Sequence, residues 1–172
     1  MSFSSRGRTL YMTDTHDRCI YTYECNEDSG ELSSQRVFFR GFDEGTGPDG
    51  HAQDVDGNLW VAVWGAWKVI CISPQGQVTA QIELPTRCIT VSCSARCLIA
   101  SHLAFFMDSL THVVVQAVAF AGEYVYVTSE QEKEPEKYPE SVEYAGDVFK
   151  CFVGVQGRQP PRAQNAYLLL TG

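Results

Sequence analysis

Three stretches of the sequence repeat one pattern, in which an apolar and aromatic strand is followed by a short turn and a second strand. They read TLYMTDTHDRCIYTYEC, NLWVAVWGAWKVICIS, and EYVYVTSE with GDVFKCFVG. Each stretch is typical of the middle of a four-stranded antiparallel sheet, and such sheets repeated along a chain indicate the blades of a β-propeller. The sequence therefore predicts an all-β fold, a partial β-propeller of about three four-stranded blades.

The periodicity also predicts where the strands lie. The first blade is expected to use residues 1–5, 8–14, 18–24 and 35–40, and the second residues 50–55, 58–64, 68–73 and 77–84. In the third blade the inner strand is expected to be split into 87–90 and 117–120, followed by 124–129 and 147–152. No fourth strand of the third blade is visible in the sequence.

The split arises because the repeats are unevenly spaced. The anchor residues Leu10, Leu59 and Val125 are 49 and 66 residues apart. Residues 91–116 differ in character from the repeats, with apolar side chains at roughly helical spacing, and removing them restores a blade-length step. We expect residues 91–116 to be an insert that interrupts the inner strand of the third blade and leaves the sheet as a loop or a helix.

Two origins of the insert remain open. Val can be encoded by GTN and Gln by CAG, so the ends of residues 91–116 fit the first and last bases of an intron that has been translated. A genuine insertion would have the same effect on the fold, and sequencing the transcript distinguishes the two. Three polar residues interrupt the apolar run, so a membrane span is not expected here: His102, Asp108 and His112.

Charge and length exclude several classes of function. With 172 residues the chain is long enough for one domain, and its net charge of -8 argues against a surface that binds nucleic acid. The start of the sequence carries no basic region followed by an apolar run, which predicts no signal peptide and a cytoplasmic location.

The seven cysteines fit a reducing compartment only loosely. Cys19, Cys71 and Cys151 lie in apolar strands and are expected to be buried thiols, whereas the spacing of Cys88, Cys93 and Cys97 is a weak metal signal.

One stretch carries a specific resemblance to a known family. GPDGHAQDVDGNLWVAVWGAWKVICISPQGQVTAQIELP resembles a blade of the senescence marker protein, gluconolactonase and luciferin-regenerating enzyme family, which includes regucalcin. The resemblance covers residues 1–157 apart from the insert, which leaves residues 158–172 as a tail. It implies the C-terminal half of a six-bladed propeller that hydrolyses sugar lactones with a divalent metal, either calcium or zinc.

Asp49, in the Pro-Asp-Gly of this stretch, is the position onto which the family pattern carries a functional role. The resemblance implies that Asp49 binds the metal and is a candidate general base for the attacking water. On sequence alone Pro-Asp-Gly is an ordinary turn. His51, two residues later, is expected to be a channel-lining or core residue rather than a second ligand.

The resemblance also implies that much of the family site lies outside this sequence. Met1 aligns just after a family Pro-Asn-Gly whose Asn is a ligand, so translating the DNA upstream should reveal the missing blades. We therefore expect this chain to be inactive as written and to self-associate through the exposed faces of its end blades. The alternative is a non-catalytic half-propeller that acts as a binding or interaction module.

Two further groups of polar residues are expected to be structural. Asp14 and His16 follow a predicted strand, where turn chemistry is the simpler interpretation. The run EQEKEPEKYPE at residues 130–140 predicts a solvated loop rather than a cation site.

Overall fold

The computed structural model describes residues 1–4, 7–90 and 118–158 of the chain. Its first sheet has the order β1–β2–β3–β4 and is antiparallel throughout. The alternation of apolar and polar residues within each strand presents one sheet face to a neighbouring sheet. The strands are β1 (Ser2–Phe3), β2 (Thr9–Asp14), β3 (Cys19–Cys25) and β4 (Leu32–Phe39).

The second sheet is the best buried of the three. It has the order β5–β6–β7–β8, and β6 and β7 in its middle read as nearly continuous runs of Val, Ile, Leu and Trp because both of their faces are covered. The outer strand β8 is mostly exposed, as expected at a sheet edge. The strands are β5 (Gly47–Gln53), β6 (Leu59–Trp64), β7 (Lys68–Ile72) and β8 (Val78–Glu83).

In the third sheet two short strands share one edge of a longer strand. Thr90 of β9 pairs with Thr128 of β11, and Val118 of β10 pairs with the adjacent Val127. Val118 thus takes the ladder position next to Thr90, one residue later than the predicted join, and the inner strand is broken in the predicted place. Residues 91–116, the predicted insert, lie outside the described residues. The strands are β9 (Ile89–Thr90), β10 (Val118–Ala121), β11 (Tyr124–Ser129) and β12 (Val148–Phe152).

The prediction of an all-β partial propeller is confirmed, and the largest boundary differences have local causes. β5 begins at Gly47 rather than at residue 50 because a β-bulge between Pro48 and His51 lets the pairing with β6 continue to Trp64. β4 begins at Leu32 rather than at residue 35 because the preceding turn is closed by hydrogen bonds to Asn26.

Two apolar cores hold the three sheets together. Ile20 of the first sheet packs with Leu59, Val61 and Ile70 of the second, beside partly buried aromatic side chains of the first sheet and the segment after it. Between the second and third sheets, Trp60 meets Phe120 edge to face with ring centroids 6.2 Å apart. Burial of these side chains is the main stabilising contribution of each contact.

The end of the described chain fastens the sheets on the side of their inner strands. The Val55 amide donates to the Gln156 carbonyl, and the Arg158 amide donates to the Gln53 carbonyl. The Arg158 guanidinium donates to the carbonyl of Phe3 in the first sheet at 3.0 Å. Residues 156–158 therefore tie the inner strand of the second sheet to that of the first.

A single short helix interrupts the β structure in the described residues. This helix, α1 (Pro139–Val142), lies in the connection between β11 and β12. Nowhere in the described ranges is there a helix of the length and apolar character that a membrane span requires.

Candidate active site

Asp49 lies in the bulge of β5, near the end of the sheet at which the inner strand begins. The turn after β2 packs directly against this bulge, where the Thr15 hydroxyl donates to the Pro48 carbonyl at 2.7 Å. A Cβ on Gly47 would come within 2.8 Å of the Thr15 carbonyl oxygen, so the close approach requires glycine. The first sheet therefore fixes the backbone that carries Asp49.

Asp49 has an unusual proton affinity for a carboxyl group. Burial, and secondarily the negative charge of Glu130, raise its pKa from 3.8 to about 6. Glu130 follows β11, and its amide donates to the Cys88 carbonyl at 2.9 Å. Its carboxylate binds the Lys133 ammonium at 2.6 Å. A carboxyl group that titrates near neutrality in a partly buried position is suited to exchange a proton with substrate or water.

His51 belongs to a buried polar network beside Asp49 along the same strand. Its Nε2 lies 2.7 Å from the Ser2 hydroxyl, which also accepts a hydrogen bond from the Gln53 side chain at 3.0 Å. The side-chain oxygen of Gln53 in turn accepts from the Arg158 guanidinium. Burial, together with the nearby amino terminus of Met1, lowers the pKa of His51 to about 3, so the ring is neutral at pH 7. His51 is therefore a buried residue, as the core alternative of the prediction has it.

A buried ion pair that the sequence did not predict lies at the same end of the sheets. The Arg87 guanidinium donates to both carboxylate oxygens of Glu132, at 3.1 and 2.6 Å, and to Glu134 at 3.3 Å. It also stacks on the ring of Tyr138, 4.0 Å from the centroid, and lies 5.4 Å from that of Trp64. Two hydrogen bonds from Arg87 lower the pKa of Glu132 to about 2.

The prediction of a solvated loop at residues 130–140 is therefore wrong for part of that run. The Glu132 side chain is 1% exposed, whereas that of Lys133 is 64% exposed. The neighbouring residues in the sequence predict that the charged side chains of this run are exposed to solvent. The counterion comes from Arg87, which is 45 residues away in sequence and buried beside the run.

The same connection is anchored at two further points. The Ser141 hydroxyl, which is fully buried, accepts from the Arg87 amide at 2.9 Å and lies 3.0 Å from the Thr86 hydroxyl. At the other end the Ser129 hydroxyl accepts from the Gly146 amide and donates towards the carbonyls of Tyr144 and Asp147, its bonds being 3.0 to 3.2 Å long. Residues 130–147 therefore form a fixed wall, here called the anchored loop, at the Asp49 end.

The opposite end of the second sheet is closed by Asp54, which is completely buried. One carboxylate oxygen accepts from the amides of Asp56 and Asn58, and the other accepts from the Asn58 side chain and from the Trp60 indole at 3.0 Å. Most of the polar residues of the DVDGNLW stretch are thus explained by one turn, and they hold β5 against β6 rather than contact a substrate.

The remaining candidate residues have structural surroundings. Asp14 accepts from the Asp17 amide at 2.8 Å, which is the predicted turn chemistry, and His16 is exposed. The described cysteines are free thiols; Cys19 and Cys71 are buried as predicted, Cys151 is only partly buried because it lies on the outermost described strand of its sheet, and Cys88 is buried. The other two residues of the predicted cysteine cluster, at positions 93 and 97, lie outside the described residues.

The described side chains do not by themselves form a metal site. Within residues 1–4, 7–90 and 118–158, no three His, Cys, Asp or Glu side chains come close enough to hold an ion. Asp49 could supply one or two oxygen ligands, but calcium normally takes six to eight.

The three four-stranded antiparallel sheets, packed against one another in chain order, define a class of protein, the β-propellers. The profile of the SMP-30/Gluconolactonase/LRE-like region matches residues 1–96. This chain belongs to that family.

Curated relatives match half or more of this chain but less than half of their own length. The 6-deoxy-6-sulfogluconolactonase of Pseudomonas putida is 31% identical over 94% of this chain and 47% of its own. The L-arabinolactonase of Azospirillum brasilense is 35% identical over 50% of this chain and 28% of its own. The chain thus spans about half the length of the first of these relatives and about a quarter of the second.

A solved structure confirms the fold independently. The regucalcin of Agrobacterium tumefaciens, described as a calcium-binding protein, superposes with a TM-score of 0.69 at 23% identity. The superposition covers 92% of this chain and 46% of that protein. The likeness shows a shared propeller architecture.

Proposed function

We propose that this chain supplies the Asp49 side of a site that hydrolyses a sugar lactone. The observation that carries the proposal is the pKa of about 6 at Asp49, produced by burial and by Glu130. Its position fits the proposal, because Asp49 lies where an inner strand begins, beside the anchored loop. The lactonase activity of the named relatives supports this choice of substrate class.

In the proposed reaction the ionised Asp49 acts as the general base. It takes a proton from a water molecule whose oxygen attacks the lactone carbonyl carbon. The tetrahedral intermediate then collapses, the bond to the ring oxygen breaks, and that oxygen takes the proton held by Asp49 and leaves as a hydroxyl, which restores the ionised Asp49. The product is an open-chain hydroxy acid. A base with a pKa near 6 is mostly ionised at pH 7 and still accepts a proton readily.

We expect the isolated chain to bind calcium or zinc weakly and to open gluconolactone no faster than buffer. The reason is that a single carboxylate supplies only a small part of the coordination that these ions require. In the proposal the further ligands and substrate contacts come from a longer protein.

The test places this chain in a complete propeller. In the Pseudomonas relative, the matching part is replaced by this chain, and hydrolysis is followed with a pH indicator. Asp49→Asn should lower kcat by about 100-fold or more, the range of a general base. The control is Asp56→Asn, an exposed aspartate at the opposite end of the same hairpin, which should leave kcat unchanged. A fully active Asp49→Asn chimera would remove Asp49 from the reaction.

A non-catalytic binding module is the second candidate, and the apolar surfaces of the two end sheets favour it. Phe152 on the third sheet is 64% exposed and Val37 on the first is 49% exposed. A chimera that folds, as judged by circular dichroism, but has no lactonase activity even with added calcium or zinc would favour this candidate over the first.

A further inference from the structure

Asp49 lies in the part of β5 that the ladder restrains least. The strand pairs with β6 at Pro48 and again at His51. Between them, Asp49 and Gly50 lie opposite a single residue of β6, and a bulge of this kind disrupts the ladder locally. Gly50 has no side chain that would restrict its backbone. The direction of the Asp49 carboxylate therefore depends on contacts other than the pairing of β5 with β6.

Both ends of this bulge are bonded to the first sheet through hydroxyl groups. At one end the Thr15 hydroxyl donates to the Pro48 carbonyl at 2.7 Å. At the other end the Ser2 hydroxyl lies 2.7 Å from Nε2 of His51. Ser2 belongs to β1 and Thr15 follows β2 directly. Asp49 is thus held between two side-chain contacts that cross from one sheet to the next.

The Ser2 hydroxyl is itself held in place from behind. It accepts from the side-chain amide of Gln53 at 3.0 Å, and the side-chain oxygen of Gln53 accepts from the Arg158 guanidinium. Because Arg158 occupies that oxygen, the amide nitrogen of Gln53 is directed at Ser2. The other ring nitrogen of His51, Nδ1, is buried without a hydrogen-bond partner in the described part of the chain. Among the described residues, the Ser2 hydroxyl is therefore the group that fixes the His51 ring by hydrogen bonding.

We propose that Ser2 and Thr15 are positioning residues, which hold the Asp49 carboxylate in the direction needed for the attack of water on the lactone. The inference rests on the proposed function, in which Asp49 is the general base. Both hydroxyls act through the backbone of β5, one at each end of the bulge. A displacement of about 1 Å in a catalytic group can slow a reaction by about 100-fold. Loss of either contact should therefore slow the reaction while the three sheets keep their fold.

Two substitutions remove the contacts one at a time, Ser2→Ala and Thr15→Val, and both change the size of the side chain little. Ser2→Thr and Thr15→Ser retain the hydroxyl and should retain the contact. The matched control is Ser4→Ala. Ser4 follows β1 directly, but its hydroxyl accepts from the Thr9 amide at 3.1 Å within the first sheet. Ser4→Ala should therefore behave as the wild type.

The first measurement is hydrogen exchange of the full chain, followed by mass spectrometry at micromolar concentration. A peptide of residues 47–53 should exchange about 10-fold faster in Ser2→Ala and in Thr15→Val, because a segment opens more easily once its contacts are lost. A peptide of residues 68–72, in β7, should exchange at the wild-type rate. Unchanged exchange of residues 47–53 in either variant would remove that hydroxyl from the proposal. Equal acceleration in both peptides would show a general loss of stability and would also overturn it.

The second measurement is kcat in the chimera with the Pseudomonas relative. Ser2→Ala should lower kcat by about 10-fold with KM unchanged, and Ser2→Thr should retain the wild-type kcat. In a chimera that already carries Asp49→Asn, Ser2→Ala should have no further effect, because a positioning residue acts through Asp49. A wild-type kcat in Ser2→Ala, or a further 10-fold loss in the Asp49→Asn chimera, would overturn the positioning role and leave the proposed function standing. A fully active Asp49→Asn chimera would refute the proposed function instead.

Discussion

Replacement of Asp54 by asparagine should destabilise the second sheet strongly, although the two side chains have nearly the same size. Asp54→Asn preserves shape, but the new amide nitrogen is a donor placed against the two donors that now bind one carboxylate oxygen, the side-chain amide of Asn58 and the Trp60 indole. Hydrogen bonds to charged groups contribute about 1.5–3 kcal/mol each, and an unpaired buried donor adds its own cost. We therefore expect a loss of about 3–5 kcal/mol in the free energy of unfolding.

The assay is urea unfolding at pH 7, followed by tryptophan fluorescence at one fixed protein concentration. With a slope of about 2 kcal/mol per molar urea, the midpoint should fall by about 2 M. Asp56→Asn is the control, because Asp56 is exposed and contributes its backbone amide to this turn; it should change stability by less than about 0.5 kcal/mol. If Asp54→Asn lost less than about 1 kcal/mol, the carboxylate would not be what closes this hairpin.

Two further predictions concern the third sheet. The pKa of Glu132 falls on folding from 4.5 to about 2, so its stabilisation is present above about pH 4.5 and is lost as the pH falls towards 2. Glu132→Gln should lower the free energy of unfolding by about 3 kcal/mol at pH 7 and by little near pH 2, as measured by urea unfolding at both pH values. Glu134→Gln, at a half-exposed position, should lower it by less than about 1 kcal/mol. Equal losses for Glu132→Gln at both pH values would refute the ion pair. Deletion of residues 91–117 joins Thr90 to Val118 in register, whereas deletion of residues 91–116 leaves one unpaired residue in the strand. The first variant should therefore have the higher melting temperature in calorimetry. The reverse order would contradict the pairing.

The sheets were predictable because their pattern is local. Alternating apolar residues and turn residues define each hairpin within about 20 residues, and the uneven repeat spacing located the break in the third inner strand. The bulge at Asp49 was not predictable in the same way. It depends on the pairing of β5 with β6 and on contact with the turn at Thr15, which belongs to another sheet.

The candidate site shows the same division. The Pro-Asp-Gly stretch pointed to Asp49 only through family resemblance, and nothing in it reveals the influence of Glu130, which is distant in sequence. The ion pair of Arg87 was not predictable in this way, because a lone arginine at the start of a predicted strand carries no pattern. A basic residue in an otherwise uncharged segment, PTRCIT, was the available signal, since an arginine between buried residues requires a counterion.

The fastening of the anchored loop has a consequence for how such a protein can diversify. Its attachment to the sheets depends on Glu132, Ser141 and the hydroxyl of Ser129, all of which point inward. The side chains between the first two anchors include Lys133 and Lys137, which are 64% and 63% exposed. Substitutions at these positions would change the rim beside Asp49 while the blade beneath keeps its shape. In the proposed site, Lys133 and Lys137 are therefore positions at which the rim can vary without a change in the blade that carries it.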